Sequence, residues 1–133
     1  MSAFSFVDRI SEVEKDESIT AFFTLKGHEE FLRDHFEGFP VMPGVLLLES
    51  LKQAASLLMS GWEKSESNDF RLSAVQEVKF GQFVKPGSLL RIFARVVKKE
   101  GQRVFFDGRM DLMGEHNIPL GRALTASFSL APL

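Results

Sequence analysis

His35 and Glu49 stand at the two ends of one stretch, residues 34 to 53, which reads DHFEGFPVMPGVLLLESLKQ. An imidazole and a carboxyl that face one pocket can exchange protons with a ligand held between them. The residues separating them include Gly38, Pro40, Pro43 and Gly44. These either fix or free backbone dihedrals, so the approach to whatever follows takes a defined and unusual path. A lone histidine is more often structural, and His28 and His116 are read that way. His35 differs because of the pattern around it, H-x4-P-x2-P-G-x4-E-x3-Q, filled by His35, Pro40, Pro43, Gly44, Glu49 and Gln53. At average residue frequencies, six specified positions arise by chance on the order of once in 10⁸ starts.

The element that must carry Glu49 is a helix. Pro43 suits a first helical position, Gly61 suits the residue after the last, and no breaker intervenes after Gly44. Leu46, Leu47, Leu48, Leu51, Ala54, Ala55, Leu57 and Leu58 leave it apolar around most of its circumference, the composition of a helix wrapped by other structure. Its polar stripe is Glu49, Lys52, Gln53, Ser56 and Ser60. Two readings of that stripe stay open, an ordinary solvated face or the polar side of a site.

Around the helix the period changes. Residues 4 to 13 and Ser18 to Leu25 read as a hairpin of strands joined by the charged turn EKDES, and residues 28 to 34 could add a turn or two of helix. Residues 61 to 69 (GWEKSESND) form a polar connector. Four long strands follow, Phe70 to Val84, Leu89 to Lys99, Gln102 to Met113 and Ile118 to Leu130, separated by short segments containing Gly, Pro or Asn. The fold class expected is α+β, one dominant helix covered by a roughly six-stranded antiparallel sheet, in a single domain over residues 1 to 133.

Composition narrows the functions. A formal charge of -2 and a pI near 5.9 give no electrostatic footprint for nucleic acid. The absence of cysteine excludes disulfides, thiolate metal sites and a cysteine nucleophile. No apolar run approaches the roughly 20 residues of a membrane span, and the N-terminus does not read as a signal peptide, so a soluble, cytoplasmic protein is expected. GHEEFL has Leu32 where a H-E-x-x-H helix would place its second histidine. With no phosphate loop, dinucleotide fingerprint or G-x-S-x-G elbow, neither a metal nor a nucleotide cofactor is expected. The 14 Phe against one Trp and no Tyr fit either a Phe-rich core or an apolar channel.

The six-residue pattern resembles that of the FabA/FabZ family, the 3-hydroxyacyl-(acyl-carrier-protein) dehydratases. The likeness extends upstream to FVDRI at residues 6 to 10 and downstream to KFGQFVKPGS at residues 79 to 88. It implies a hot-dog fold, a long antiparallel sheet around a central helix, assembled as a homodimer with active sites at the interface. It also implies that His35 is the catalytic base, Glu49 of the other subunit the catalytic acid, Gln53 its polar neighbour and Gly44 the backbone donor to a thioester carbonyl. Phe80 and Phe83 are the candidates for the acyl tunnel, and Lys79 and Lys85 for docking an acidic acyl carrier protein, with coenzyme A as the other possible carrier.

The chemistry so implied explains the residue types. Dehydration of a 3-hydroxyacyl thioester removes a weakly acidic α-proton and expels hydroxide, a poor leaving group, so a base and an acid are both needed. Charge building on the thioester oxygen would meet the Gly44 N–H at the positive end of the helix. Two departures stand out: Glu37 occupies the place after His-Phe where the family usually has Pro, and Gly81 and Gln82 stand between the two lysines. A thioesterase on the same fold and a non-catalytic acyl-binding partner subunit remain as alternatives.

Overall fold

The computed structural model describes residues 5–26, 41–60 and 70–133. Six strands and one helix account for most of them: β1 (Arg9–Glu14), β2 (Ser18–Thr24), α1 (Gly44–Ser60), β3 (Phe70–Phe80), β4 (Leu89–Glu100), β5 (Arg103–Met113) and β6 (Pro119–Pro132). The strands form one antiparallel sheet in the order β1-β2-β4-β5-β6-β3. One helix against a six-stranded antiparallel sheet is the architecture the sequence predicts. Among the described residues, no helix is long and apolar enough to cross a membrane.

Turn chemistry sets the registers. Gly101 has a φ of 62° and is the first of two residues joining β4 to β5, as a type II′ hairpin turn requires. His116 and Asn117 both take left-handed conformations between β5 and β6, with the Ile118 N–H donating to the Glu115 carbonyl at 3.2 Å. Lys85 to Ser88 closes a turn with Pro86 second and Gly87 third at a φ of 92°, the type II pattern.

The period of two sends Ile19, Ala21, Phe23, Leu90, Ile92, Ala94, Phe106, Met110, Leu124 and Phe128 to one face of the sheet. There they form a single core with Leu47, Leu51, Ala54, Ala55 and Leu58 of α1. Phe106 and Phe128 stack at a centroid distance of 5.3 Å. The helix comes so close to the middle of the sheet that a Cβ on Gly108 would lie 2.7 Å from Cδ1 of Leu51. Complete burial of Leu51 in this contact makes it a principal anchor of α1.

Several boundaries differ from expectation by a residue or more, three of them for a reason visible in the hydrogen bonding. β1 begins at Arg9 because the backbone of Phe6 bonds to side chains of α1 instead of to a strand. α1 begins at Gly44 because Pro43 stands just outside it, its carbonyl accepting from the N–H groups of Leu46 and Leu47. β3 ends at Phe80, after which Gly81 and Gln82 still donate to the carbonyls of Ala123 and Arg122 before the chain leaves the sheet.

Candidate active site

Residues 41–44, entering the helix, run beside residues 80–84, leaving β3. The Met42 N–H donates to the Val84 carbonyl at 2.9 Å and ties the two together. Between them and β6 lies a cavity of about 330 Å³, lined by Met42, Gly44, Leu47, Phe80, Phe83 and Ala123 among others. That volume and its largely apolar wall suit a small ligand or part of a larger one.

Gly44 is the first residue of α1, where backbone N–H groups have no partner in the preceding turn. Among the described residues nothing accepts its N–H. The Phe80 ring lies against it and, like Phe83, is more than half exposed, at 57% and 65%. The Phe supply is therefore divided: Phe6, Phe23, Phe106 and Phe128 are core, while Phe80 and Phe83 form a wall open to solvent.

Glu49 and Gln53 meet on another side of the helix. Glu49 stands five positions after Gly44, which is about 140° around the axis and about 7.5 Å along it. Glu49 is accordingly not among the residues lining the cavity. Gln53 is 2% exposed, its Nε2 donating to Glu49 Oε2 at 3.0 Å and its Oε1 accepting from the Phe6 N–H at 2.8 Å. The polar stripe is thus not a solvated face, since Gln53 and Ser56 are both buried and Glu49 and Lys52 half-buried. In one chain the structure brings Gly44, Phe80 and Phe83 together, and Glu49 and Gln53 together, and holds the two groups apart. His35, with Glu37 and Pro40, lies outside the described residues, as do His28 and the segment from 61 to 69.

Lys79 is exposed on the outward face of β3 opposite Thr125, and Lys85 is exposed at the start of its turn, directly after cavity-lining Val84. The sequence reading missed a group beyond Lys79 on the same outward face. Asp111, whose side chain is 5% exposed, accepts from Arg122 Nε at 2.9 Å and Arg91 Nη2 at 3.2 Å, with Arg109 Nε at 3.6 Å. Burial alone pushes this carboxyl up, but the hydrogen bonds and charges of Arg122 and Arg91 outweigh it and hold it below the ordinary aspartate value. The signal was recoverable only from registers: Asp111 pairs with Arg91 on one side and Arg122 on the other. Ser50 was missed as well; a small hydroxyl among leucines gave no sign of the backbone it binds.

Comparison with known proteins decides the family, since the model of the FabA-like domain matches residues 1–118. The chain belongs to the FabA-like family. A 3-hydroxyacyl-[acyl-carrier-protein] dehydratase FabZ of Levilactobacillus brevis is 43% identical over 94 residues, covering 71% of this chain and 64% of that protein. The dehydratase FabZ of Lactococcus lactis subsp. cremoris is 34% identical over 125 residues, covering 90% of this chain and 86% of that protein. Among solved structures, a chain of the dehydratase heterocomplex ApeI:P from Xenorhabdus doucetiae superposes with a TM-score of 0.73 at 18% identity, covering 96% of this chain and 82% of that one. The latter likeness concerns the fold, which in this FabA-like chain is the hot-dog arrangement of helix and wrapped sheet.

Proposed function

We propose that this FabA-like chain dehydrates 3-hydroxyacyl thioesters to trans-2-enoyl thioesters, with residues 1–133 acting as one domain. The observation that carries the reading is the placement of the Gly44 N–H, which no described residue accepts, in the lining of a largely apolar cavity, on a helix that also presents Glu49. In the proposed reaction, His35 removes the α-proton and Gly44 N–H stabilises the charge that moves onto the thioester oxygen. Glu49 gives its proton to the β-hydroxyl, so that the C–O bond breaks with water, not hydroxide, as leaving group. One water and one enoyl thioester result, and the acid–base pair returns to its starting state when His35 hands on a proton and Glu49 regains one.

The 140° between Gly44 and Glu49 supports a site shared between two copies, because one ligand on one chain would have difficulty reaching both. The free side of β3 supports the same view. It is an eleven-residue edge strand with Val75, Val78 and Phe80 exposed, and neighbouring exposed Phe83 and Val45 enlarge the apolar surface. Natural edges of this kind are normally covered. A homodimer joined there would be the working unit. Lys79 and Lys85 lie close to the cavity and would receive an acidic acyl carrier protein bearing the substrate.

The test is hydration of enoyl thioesters of graded chain length, on carrier protein and on coenzyme A, by the purified chain. Addition of water with no thiol release is expected. Release of free thiol from a saturated acyl thioester would favour hydrolysis instead, and no reaction on either carrier would refute the dehydratase reading.

A further inference from the structure

We infer that the N-terminal segment around Phe6 positions the Glu49 carboxyl through Gln53, and that Ser50 is the positioning residue that holds this segment in place; the inference rests on the acid role proposed for Glu49. A glutamine amide can face a carboxyl with either its oxygen or its nitrogen, and the two choices are opposite in effect. Here the choice is made by a backbone. The Phe6 N–H can only donate, so it takes Gln53 Oε1, at 2.8 Å, and turns Nε2 toward Glu49 Oε2, at 3.0 Å.

The anchor of Phe6 is itself built in. Ser50 is fully buried, and its Oγ donates to the Phe6 carbonyl at 2.8 Å, so both backbone groups of Phe6 are bound by successive turns of α1. The Phe6 ring is buried edge-on to Phe23 at 5.7 Å. Two residues on, Asp8 donates its N–H to the Phe22 carbonyl at 2.8 Å and accepts the Thr24 N–H at 2.7 Å, fixing the far end of the segment.

The chemical consequence concerns which oxygen of Glu49 carries the proton. Oε2 accepts from Gln53, which leaves the other oxygen to bear the proton and give it to the leaving hydroxyl. If the Phe6 backbone let go, the contact that keeps Oε1 turned away from Glu49 would be lost, and an amide presenting Oε1 there would accept that proton and draw it away from substrate. Ser50, which touches neither substrate nor Glu49, would then set the rate through two intermediaries.

The test uses the full chain with Ser50→Ala, Gln53→Met and the double variant, following enoyl-thioester hydration, thermal unfolding and hydrogen exchange of the Gln53 side-chain amide by ¹⁵N NMR. Expected are a fall in kcat of about tenfold for each single variant with KM little changed, the size of one hydrogen bond lost to the carboxylate that Glu49 becomes as it gives up its proton. The double variant should be no slower than the slower single one, since both break one chain of contacts. Ser50→Ala should also speed exchange of the Gln53 amide, which no general loss of packing confined to Ser50 requires. Folded variants that keep wild-type kcat, or whose losses multiply, would overturn the inference while leaving the dehydratase reading intact. A wild type that hydrates nothing would fell the dehydratase reading, and the positioning role with it, even if the amide is protected.

Discussion

The ring of Phe80 lies against the Cα of Gly44 so closely that a Cβ there would fall 2.6 Å from ring atom Cε1. Glycine at this position is therefore a matter of space at the cavity, not of backbone dihedrals. Gly44→Ala should leave stability within about 1 kcal/mol, because alanine is the better helix former and the half-exposed ring can swing away. Turnover should fall by about tenfold or more, since the ring and the helix start that define the cavity must shift. Unfolding curves beside steady-state kinetics would check both parts, and a variant of full activity would show that the cavity admits the methyl without displacing the helix start.

Glu49→Gln removes the proton that the proposed reaction gives to the leaving group and keeps the shape of the side chain. Its amide oxygen can still accept from Gln53, so the hydrogen bond at 3.0 Å has a substitute. The expected outcome is an unchanged melting temperature with kcat reduced by about 10²- to 10⁴-fold, the usual range for loss of a general acid. Binding of a saturated acyl thioester, followed by calorimetry, should persist.

Much of this arrangement was legible in the sequence, and the limits of legibility are physical. Period-two runs separated by Gly101, Gly87 and the Gly114 to Asn117 segment gave the strands, because each turn there depends on local dihedral chemistry. The helix was equally plain from its leucines and alanines. What could not be read was anything set by pairing at a distance: Ser50 on the Phe6 carbonyl, or Asp111 beneath arginines from three strands. The angle between Gly44 and Glu49, by contrast, follows from their spacing alone once the helix is granted.

Asp111 gives an acid-side prediction with a definite sign. Its carboxyl is held below the ordinary value of 3.8, so on acidification the unfolded chain binds a proton before the folded one does. The stability it contributes is complete above about pH 4 and is lost as pH falls through the lowered value. Asp111→Asn should destabilise the protein by about 2 kcal/mol at neutral pH, less than for a fully buried pair because Arg122 and Arg109 are well solvated. Denaturant unfolding of both proteins from pH 7 to pH 3 should show the gap between them closing toward acid.

Gly108 and Leu51 offer a test of how tightly the helix is seated. Gly108→Ala would put a methyl 2.7 Å from Leu51 Cδ1 and 2.8 Å from its Cδ2, and about 1 to 3 kcal/mol of destabilisation is expected. Leu51→Ala alone should cost about 2 to 5 kcal/mol through the cavity it opens. The double variant should be more stable than the sum of the two predicts, since the added methyl then occupies part of that cavity. Equilibrium unfolding of the four proteins would measure the coupling.

The free edge of β3 yields the last prediction. Val78 sits on the core-side face of the sheet opposite Ala126, yet it is exposed, on the strand that forms the sheet's edge. Charge on such an edge blocks its use as a template for another strand. Val78→Lys should therefore leave the monomer folded, as judged by circular dichroism, and shift the proposed homodimer toward monomer in sedimentation. If Gly44 of one copy works with Glu49 of another, hydration activity should fall with the dimer population and recover as protein concentration is raised. Activity that stayed constant per chain while the dimer dissociated would instead place a complete site within one copy.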